Sequence, residues 1–210
     1  MSKIIIINSG SGNLLSLKRA IEIFDNDVKI SENSNEILNA KKVFLPGVGA
    51  FQNCIQSLND KKLTDTIIKL KEKNIPLMGI CLGMQILFEE SREFGFAKGF
   101  GFIKGKVKKI PLENNNNLLK VPSIGWYKLI NKSFNKQLSN TLDSDDEYYF
   151  IHSYYASGVP EEFILASYLF GKTEIPAIVR NENIFGCQFH PEKSAKQGLN
   201  IIDHFLKGIK

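Results

Sequence analysis

Cysteine is scarce in this 210-residue chain, which contains only Cys54, Cys81 and Cys187. An odd, small number of cysteines without short spacing argues against a disulfide framework and against a zinc site. We therefore expect no metal and no cofactor. A free thiol that takes part in chemistry would need a reducing compartment.

Long apolar runs are absent as well. No stretch approaches the roughly 20 apolar residues that a membrane-spanning helix needs, and the run Ile4 to Ile7 is too short for a signal peptide. We expect a cytoplasmic protein that does not enter a membrane. Hydrophobic residues make up 43% of the chain and charged residues 23%, which is ordinary for a globular protein, and the length fits one domain over 1–210.

The formal net charge of +5 would by itself admit an acidic partner or nucleic acid. However, the lysines are scattered along the chain. The densest runs, 69–73 and 104–109, lack the interleaved aromatic residues of a protein that binds single strands. We interpret the charge as a solvated surface and expect no nucleic-acid partner.

Short apolar runs alternate with helical periodicity in the first half of the chain. Ile4 to Ile7 and Val43 to Leu45 are typical of buried strands, and Leu14 to Phe24 carries apolar residues at three- and four-residue steps. After about residue 95, strand candidates follow one another. This order predicts an α/β fold with a mostly parallel central sheet, flanking helices and an antiparallel extension. Further helices are predicted at Phe51 to Leu58, Leu63 to Lys73 and Ser194 to Leu206, and further strands at Val28 to Ile30, Phe102 to Ile110, Trp126 to Ile130, Tyr148 to Tyr154, Leu165 to Phe170, Ala177 to Arg180 and Ile184 to Phe189.

The segment Gly79-Ile80-Cys81-Leu82-Gly83 has the form Gly-x-nucleophile-x-Gly. It follows a predicted strand and precedes a helical apolar pattern from Met84 to Phe88, so it places the nucleophile on a sharp strand-to-helix turn. The helix N-terminus favours the thiolate of Cys81, and the N–H of Leu82 is free to donate to an oxyanion. The competing interpretation, a buried structural cysteine in a glycine-rich turn, is less favoured by this context.

A thiol nucleophile needs a base that a third group holds in place. Among the three histidines, His190 ends a predicted strand and is followed two residues later by Glu192. If the backbone stays extended across Pro191, both side chains face the same way and the carboxylate can orient the imidazole. Alone, a His-x-Glu pair is more often structural. Together with the nucleophile turn, it predicts a triad of Cys81, His190 and Glu192.

Two further turns of the chain contain pairs of glycines. Pro46-Gly47-Val48-Gly49 closes a strand that we place beside Cys81. Its N–H groups can point at a ligand and supply a second oxyanion donor, although an ordinary turn explains the pattern equally well. Gly10-Ser11-Gly12-Asn13 lacks the third glycine of a dinucleotide-binding fingerprint because position 15 is Leu15, so we interpret it as a β-α turn.

Together these motifs resemble the class I, triad-type glutamine amidotransferases, which have a flavodoxin-like fold. Within this family, the chain resembles the glutaminase subunits of imidazole glycerol phosphate synthase. The likeness covers almost the whole chain in the same order. Its blocks are Leu45 to Phe51, Pro76 to Gln85, Gly125-Trp126, Tyr149 to Tyr155 and Gln188 to Ser194.

The resemblance implies a role for each matching residue. Cys81 would attack the side-chain amide of glutamine, His190 would relay protons, and Glu192 would orient His190. The other implied residues fall into three groups: Leu82, Val48 and Gly49 as oxyanion donors; Gly49, Gln85, Glu93, Ser153 and Tyr154 as glutamine-binding residues; and Asn13, Trp126, His152 and Lys193 near a partner surface. From local pattern alone, Trp126 fits a core position as well as an interface.

The resemblance also implies a partner. This is a (β/α)₈-barrel cyclase that forms a heterodimer with the chain, receives its ammonia, and makes imidazole glycerol phosphate and aminoimidazole carboxamide ribotide in histidine biosynthesis. The chain departs from the family at Asn8-Ser9, where Asp-Tyr is usual, at Ser123, where His is common, and at Tyr127, where Asn is common. We expect these positions on the side that meets the synthase. Two alternatives therefore stay open: a paralogue that feeds another synthase, such as a sugar-amidinating enzyme of surface-polysaccharide biosynthesis, and a catalytically inactive regulatory subunit.

Overall fold

The structure, a computed structural model, describes residues 3–114, 117–131, 138, 141–143 and 145–208. In this part of the chain the helices are α1 (Leu14–Glu22), α2 (Ser34–Leu38), α3 (Phe51–Asp60), α4 (Thr64–Glu72), α5 (Leu82–Gln85) and α6 (Ala195–Gly208). The strands are β1 (Ile4–Ile7), β2 (Val28–Ser31), β3 (Lys42–Gly47), β4 (Leu77–Cys81), β5 (Glu90–Ser91), β6 (Ala97–Lys98), β7 (Lys106–Lys109), β8 (Glu113–Asn114), β9 (Asn117–Leu118), β10 (Ser123–Lys128), β11 (Ile130–Asn131), β12 (Glu147–His152), β13 (Tyr154–Ser157), β14 (Ile164–Phe170), β15 (Thr173–Asn181) and β16 (Ile184–Cys187).

The central element is an eight-stranded sheet in the order β11-β14-β15-β16-β4-β3-β1-β2. Strands β2, β1, β3, β4 and β16 pair in parallel. Strands β15, β14 and β11 then extend the sheet with antiparallel pairs. The predicted α/β architecture, with a parallel half and an antiparallel extension, is confirmed. It also follows that the carboxyl ends of β3, β4 and β16 lie at one edge of the sheet.

Helices cover both faces of the parallel half. Every residue of β1 is buried, as expected for a strand between two layers of helices. Ile4 and Ile6 belong to an apolar cluster that also contains residues of α1 and α6. Ile5 and Ile7 belong to a second cluster with residues of α2, α3 and α4. The alternation of side chains along one strand thus anchors two separate layers of helices.

Smaller β elements complete the molecule. Strands β10 and β12 form a two-stranded antiparallel ribbon, and β13, β7, β5 and β6 form a four-stranded sheet. Strands β8 and β9 pair with each other. Within the described ranges, no helix combines the length and the apolar character needed to cross a bilayer.

The helix predicted after Cys81 is much shorter than its apolar pattern indicates. It ends at Gln85, and Ile86, Leu87 and Phe88 are all fully buried. The carbonyl oxygens of Leu87 and Phe88 accept N–H bonds from Phe102 and Gly101 instead of from a continuing helix. Three consecutive buried residues have no polar face, so the segment is core on all sides and its helical periodicity was misleading.

The structure differs from the sequence-based predictions at one further strand and one further helix. The strand predicted from Phe102 to Ile110 is present only over Lys106–Lys109, because the N–H groups of Phe102 and Ile103 bond to Leu87 and Gly105 turns the chain at a φ of +135°. Helix α2 was not predicted. Its capping signal is visible in hindsight, because the Asn33 side chain accepts the N–H groups of Asn35 and Glu36.

Candidate functional site

The predicted strand-to-helix turn at Cys81 is present. Strand β4 ends at Cys81 and α5 begins at Leu82, and Cys81 has φ 54° and ψ −111°, a region that residues other than glycine rarely adopt. The flanking glycines allow this turn. A Cβ on Gly83 would lie 1.7 Å from the carbonyl oxygen of Leu45, and one on Gly79 would lie 2.5 Å from that of Gly83. The backbones of β3 and α5 therefore meet at a distance that only glycine permits.

His190 reaches the same edge of the sheet from the neighbouring strand. β16 runs parallel to β4, with Cys187 beside Ile80 in the register, so the chain leaves β16 next to Cys81. The N–H of His190 donates to the carbonyl of Tyr149 at 3.0 Å, which fixes the His190 backbone against β12. The side chains of His190 and Cys81 line the same cavity and lie close enough to interact.

Glu192 lies behind His190. The distance from His190 Nδ1 to Glu192 Oε1 is 2.9 Å, and both side chains are buried. The expected extended backbone is wrong, because Pro191–Lys193 forms a 3-10 turn. The carboxylate reaches the ring from within this turn. Burial acts to lower the pKa of His190, but its interactions with Cys81 and with Glu192 outweigh burial and raise that pKa to about 10.

A cavity of about 390 Å³ opens above Cys81. It is the meeting point of the turn after β3, the start of α5, the chain after β5, and the junction of β12 and β13. The residues that line it include Val48, Gly49, Cys81, Leu82, Gln85, Glu93, His152, Ser153, Tyr154, His190 and Lys193. All the residues suggested for oxyanion and glutamine binding thus lie around one space, although they come from four separate parts of the sequence.

Backbone N–H groups border the cavity beside the sulfur. Gly47 pairs with Cys81 in the β3–β4 register, so the following residues Val48 and Gly49 run alongside the nucleophile. Gly49 has a φ of +99°, which favours glycine. On the other side, Leu82 is the first residue of α5, and the N–H of a first helical residue has no acceptor within its helix.

Glu93 places a carboxylate in the wall of the cavity. Its Oε2 accepts the N–H of Phe51 at 2.8 Å, and the residue is 8% exposed. Burial raises the pKa of Glu93, and the bond from Phe51 opposes this effect. A buried carboxylate with one oxygen bonded to backbone is suited to pair with a cationic group of a ligand.

Gln188 belongs to the site but was not among the predicted residues. It is fully buried, and its Nε2 donates to Cys81 Sγ at 3.8 Å. Its Oε1 accepts from Gln85 Nε2 at 3.0 Å, and Gln85 Nε2 also donates to the carbonyl of Tyr154 at 2.8 Å. The sequence does carry a signal for this residue. Gln188 is a polar residue at the end of an apolar strand, two positions before His190, and positions i and i+2 of an extended backbone lie on the same side.

Comparison with known proteins decides the family. Residues 5–209 match the family Glutamine amidotransferase class-I. The chain belongs to the class I glutamine amidotransferases. It is 38% identical to imidazole glycerol phosphate synthase subunit HisH 1 of Legionella pneumophila, covering 99% of this chain and 100% of that protein. It is 42% identical to imidazole glycerol phosphate synthase subunit HisH of Bacillus licheniformis, covering 95% and 93% respectively. A crystal structure of a glutamine amidotransferase shares the fold with a TM-score of 0.70 at 16% identity, covering 96% of each chain.

The amidotransferase carries exposed apolar side chains next to its cavity. In the β10–β12 ribbon, Ile124 faces Ile151 and Trp126 faces Tyr149. Ile124, Trp126 and Ile151 are 53%, 46% and 39% exposed, and the rings of Trp126 and Tyr149 meet edge to face at 5.7 Å. We call these four residues the apolar patch. Trp126 is therefore not a core residue. Because Ile151 also lines the cavity, the patch continues to its rim.

The remaining residues assigned to a partner surface differ in exposure. Asn13 is exposed at the N-terminus of α1. Lys193 is exposed, and its Nζ lies 5.9 Å from the centre of the Tyr149 ring in the apolar patch. His152 does not fit this group. It is only 6% exposed and bonds to Tyr168 and Tyr154 within the protein.

The expectation that the divergent positions face a synthase is wrong for three of them. Ser9 and Ser123 are fully buried. Tyr127 points to the inner face of the ribbon, where its ring packs against Tyr168 and Phe150. Because side chains alternate along β10, the outward positions are those of the apolar patch. These three residues of the amidotransferase therefore point into its interior and do not form its exposed face.

Proposed function

We propose that this amidotransferase is the glutaminase subunit of an imidazole glycerol phosphate synthase. It hydrolyses glutamine to glutamate and ammonia with a Cys81–His190–Glu192 triad and passes the ammonia to a (β/α)₈-barrel cyclase. The observation that carries the proposal is that Cys81 and His190 meet at one cavity, with Glu192 bonded to His190 and the carboxylate of Glu93 in the cavity wall.

The chemistry follows from the triad. The imidazole of His190, which Glu192 holds in place, takes the proton of the Cys81 thiol, and the sulfur attacks the amide carbon of glutamine. The N–H of Leu82 and a backbone N–H of Val48-Gly49 donate to the oxygen that becomes negative. His190 gives its proton to the departing ammonia and a thioester is left on Cys81. Water, deprotonated by His190, then attacks the thioester and releases glutamate.

Substrate binding uses both ends of glutamine. The ammonium group pairs with Glu93, and the backbone at Ser153-Tyr154 meets the carboxylate. Gln85 uses its amide nitrogen for the protein contacts to Tyr154 and Gln188, which holds the wall beside the substrate. These contacts select an amino acid with a free α-amino group and a free α-carboxylate.

Replacing Glu93 with glutamine tests the substrate contact. The amide oxygen can still accept the N–H of Phe51, so the local fold is retained while the charge is lost. We expect KM for glutamine to rise about 10- to 100-fold, the effect of one hydrogen bond to a charged group, with kcat changed far less. Steady-state glutamate release measures both constants. Glutaramate, which lacks the α-amino group, is the control: if the variant still prefers glutamine to glutaramate as strongly as the wild type, Glu93 does not bind the ammonium.

The choice of cyclase as ammonia acceptor rests on two observations. The relatives at 38% and 42% identity over nearly full length are imidazole glycerol phosphate synthase subunits. The apolar patch lies at the rim of the cavity, where a docked partner can receive ammonia without exposure to water. A patch built around Trp126 and Tyr149 has the composition of an interface core. The alternative, a different synthase as ammonia acceptor, was argued from the divergent positions. Ser123 and Tyr127 face inward, so they do not favour it.

Adding the cognate cyclase and its ribonucleotide substrate should stimulate glutamate release from glutamine in a saturable way. Trp126→Ala should raise the cyclase concentration for half-maximal stimulation about 30-fold, as for a central interface aromatic, with the same maximum. Ile23→Ala is the matched control, since Ile23 is 62% exposed but follows the end of α1 away from the cavity edge. Stimulation only by a different synthase would support the paralogue. No release under any condition would support an inactive regulatory subunit.

A further inference from the structure

A series of buried hydrogen bonds connects three strands behind the cavity. Ser123 Oγ on β10 lies 3.2 Å from the hydroxyl of Tyr168 on β14. That hydroxyl lies 2.7 Å from Nε2 of His152 on β12. Nδ1 of His152 lies 2.9 Å from the carbonyl oxygen of Tyr154. Ser123, Tyr168 and His152 are all buried, so water does not compete for these bonds.

The direction of each bond is set by chemistry. A carbonyl oxygen only accepts, so Nδ1 of His152 carries the proton and donates to Tyr154. In the neutral ring Nε2 then accepts, so the Tyr168 hydroxyl donates to it and itself accepts from Ser123. Burial lowers the pKa of His152 to about 4, although the bond to Tyr154 acts in the opposite direction. One tautomer of a neutral ring is therefore held by its partners on both sides.

The carbonyl of Tyr154 joins this series to the site. It accepts a second bond from Gln85 Nε2, which also donates to Gln188, and Gln188 donates to Cys81. A carbonyl oxygen has two lone pairs, and here both have donors. The position of this peptide in the cavity wall is thus determined by His152 on one side and by Gln85 on the other.

We propose that His152 and Tyr168 are positioning residues for the glutaminase reaction, which hold the Tyr154 carbonyl, and with it the glutamine-binding wall, through a single imidazole tautomer. This inference rests on the proposed function. It differs from the partner-surface role expected for His152, because the residue acts inside the protein. It predicts an effect on glutamine binding, whereas the thiol and its base are untouched.

Two substitutions at His152 separate this role from general packing. The amide N–H of asparagine takes the place of Nδ1–H, so His152→Asn keeps the donor to Tyr154. The amide of glutamine takes the place of Nε2, so His152→Gln keeps the contact with Tyr168 and loses that donor. We expect His152→Gln to raise KM for glutamine about tenfold, the effect of one hydrogen bond. His152→Asn should restore most of this loss, with kcat altered less than KM in both.

Two buried tyrosines provide a matched pair of controls. Tyr168→Phe removes the donor to His152 Nε2 and should raise KM in the same direction as His152→Gln. Tyr148→Phe removes a fully buried hydroxyl that has no hydrogen-bond partner among the described residues, and KM should not change. The rate at which iodoacetamide alkylates Cys81 should equal that of the wild type in all four variants.

The measurements distinguish failure of the inference from failure of the proposed function. Kinetics are run with the cognate cyclase, and glutamine binding is measured by calorimetry for each variant combined with Cys81→Ala. A wild type that releases no glutamate refutes the proposed function, while calorimetry still ranks the His152 variants. Equal KM and equal affinity for His152→Asn and His152→Gln, whether both normal or both impaired, would overturn the positioning role.

Discussion

Replacing Cys81 with alanine is expected to reduce glutamate release from glutamine by about 10⁴-fold or more, the loss seen when the nucleophile of a triad is removed. The sulfur is the atom that would form the thioester, and neither His190 nor water can take its place within the same geometry. The change removes little volume at a residue that borders a cavity, so folding and cyclase binding should persist. Glutamate release under saturating cyclase, together with a thermal unfolding curve, measures both effects.

Cys54 is the matched control for this experiment. It is also a buried cysteine, but it lies in α3 within the apolar cluster on the far face of the sheet, and burial raises the pKa of its thiol to about 12. The Cys54→Ala variant should keep wild-type glutamate release. Acivicin should alkylate Cys81 in this variant as it does in the wild type. If Cys81→Ala retains comparable activity, or if both alanine variants lose it together, the assignment of Cys81 as nucleophile is wrong.

Replacing Gly83 with alanine is expected to destabilise the fold by about 3 kcal/mol or more, at the upper end for overpacked interiors. A Cβ there would lie 1.7 Å from the carbonyl oxygen of Leu45 and 2.8 Å from its carbonyl carbon. The obstacle is backbone of the neighbouring strand, so no side chain can rotate away. The turn that presents Cys81 would have to open, and glutamate release should fall along with stability. Urea unfolding measures the free energy change.

Gly208 offers the control for Gly83, because both glycines lie in helices. The nearest atoms to a Cβ on Gly208 would be those of the His204 ring, at 3.4 Å or more. Alanine is the better helix former, so Gly208→Ala should be neutral or slightly stabilising. A Gly83→Ala protein with wild-type stability would show that β3 and the turn are not in the close contact described above.

Much of the fold could be predicted because its strongest signals are local. The β-branched run of β1 and the apolar run before Cys81 are buried on both sides, and continuous apolar character is what such strands require. The prediction of a helix that continues through Leu87 is wrong for the opposite reason. Its neighbours Ile86 and Phe88 are equally buried, and the segment between Gln85 and Glu90 is held by backbone bonds to residues 99–105. No periodicity within the segment reports those distant partners.

The candidate site shows the same division. The glycines beside Cys81 and the spacing of His190 and Glu192 predict chemistry from short motifs, and the structure brings these three side chains together. The role of Gln188 depends on Gln85, which is more than a hundred residues away. The β10 strand misleads in another way. Its residues Ile124 and Trp126 point outward and its serine points inward, the reverse of ordinary patterning, because none of the residues that the structure describes covers the outer face.

The distribution of thiols has a consequence for oxidative stress. Cys54 and Cys187 lie inside the packed interior, and burial raises the pKa of both, with the charges of Glu192 and Cys81 adding to the effect at Cys187. Cys81 alone among the three borders the cavity. One equivalent of peroxide or of a maleimide should therefore react per chain, at Cys81. The number of modified sulfurs would then equal the number of inactivated enzyme molecules.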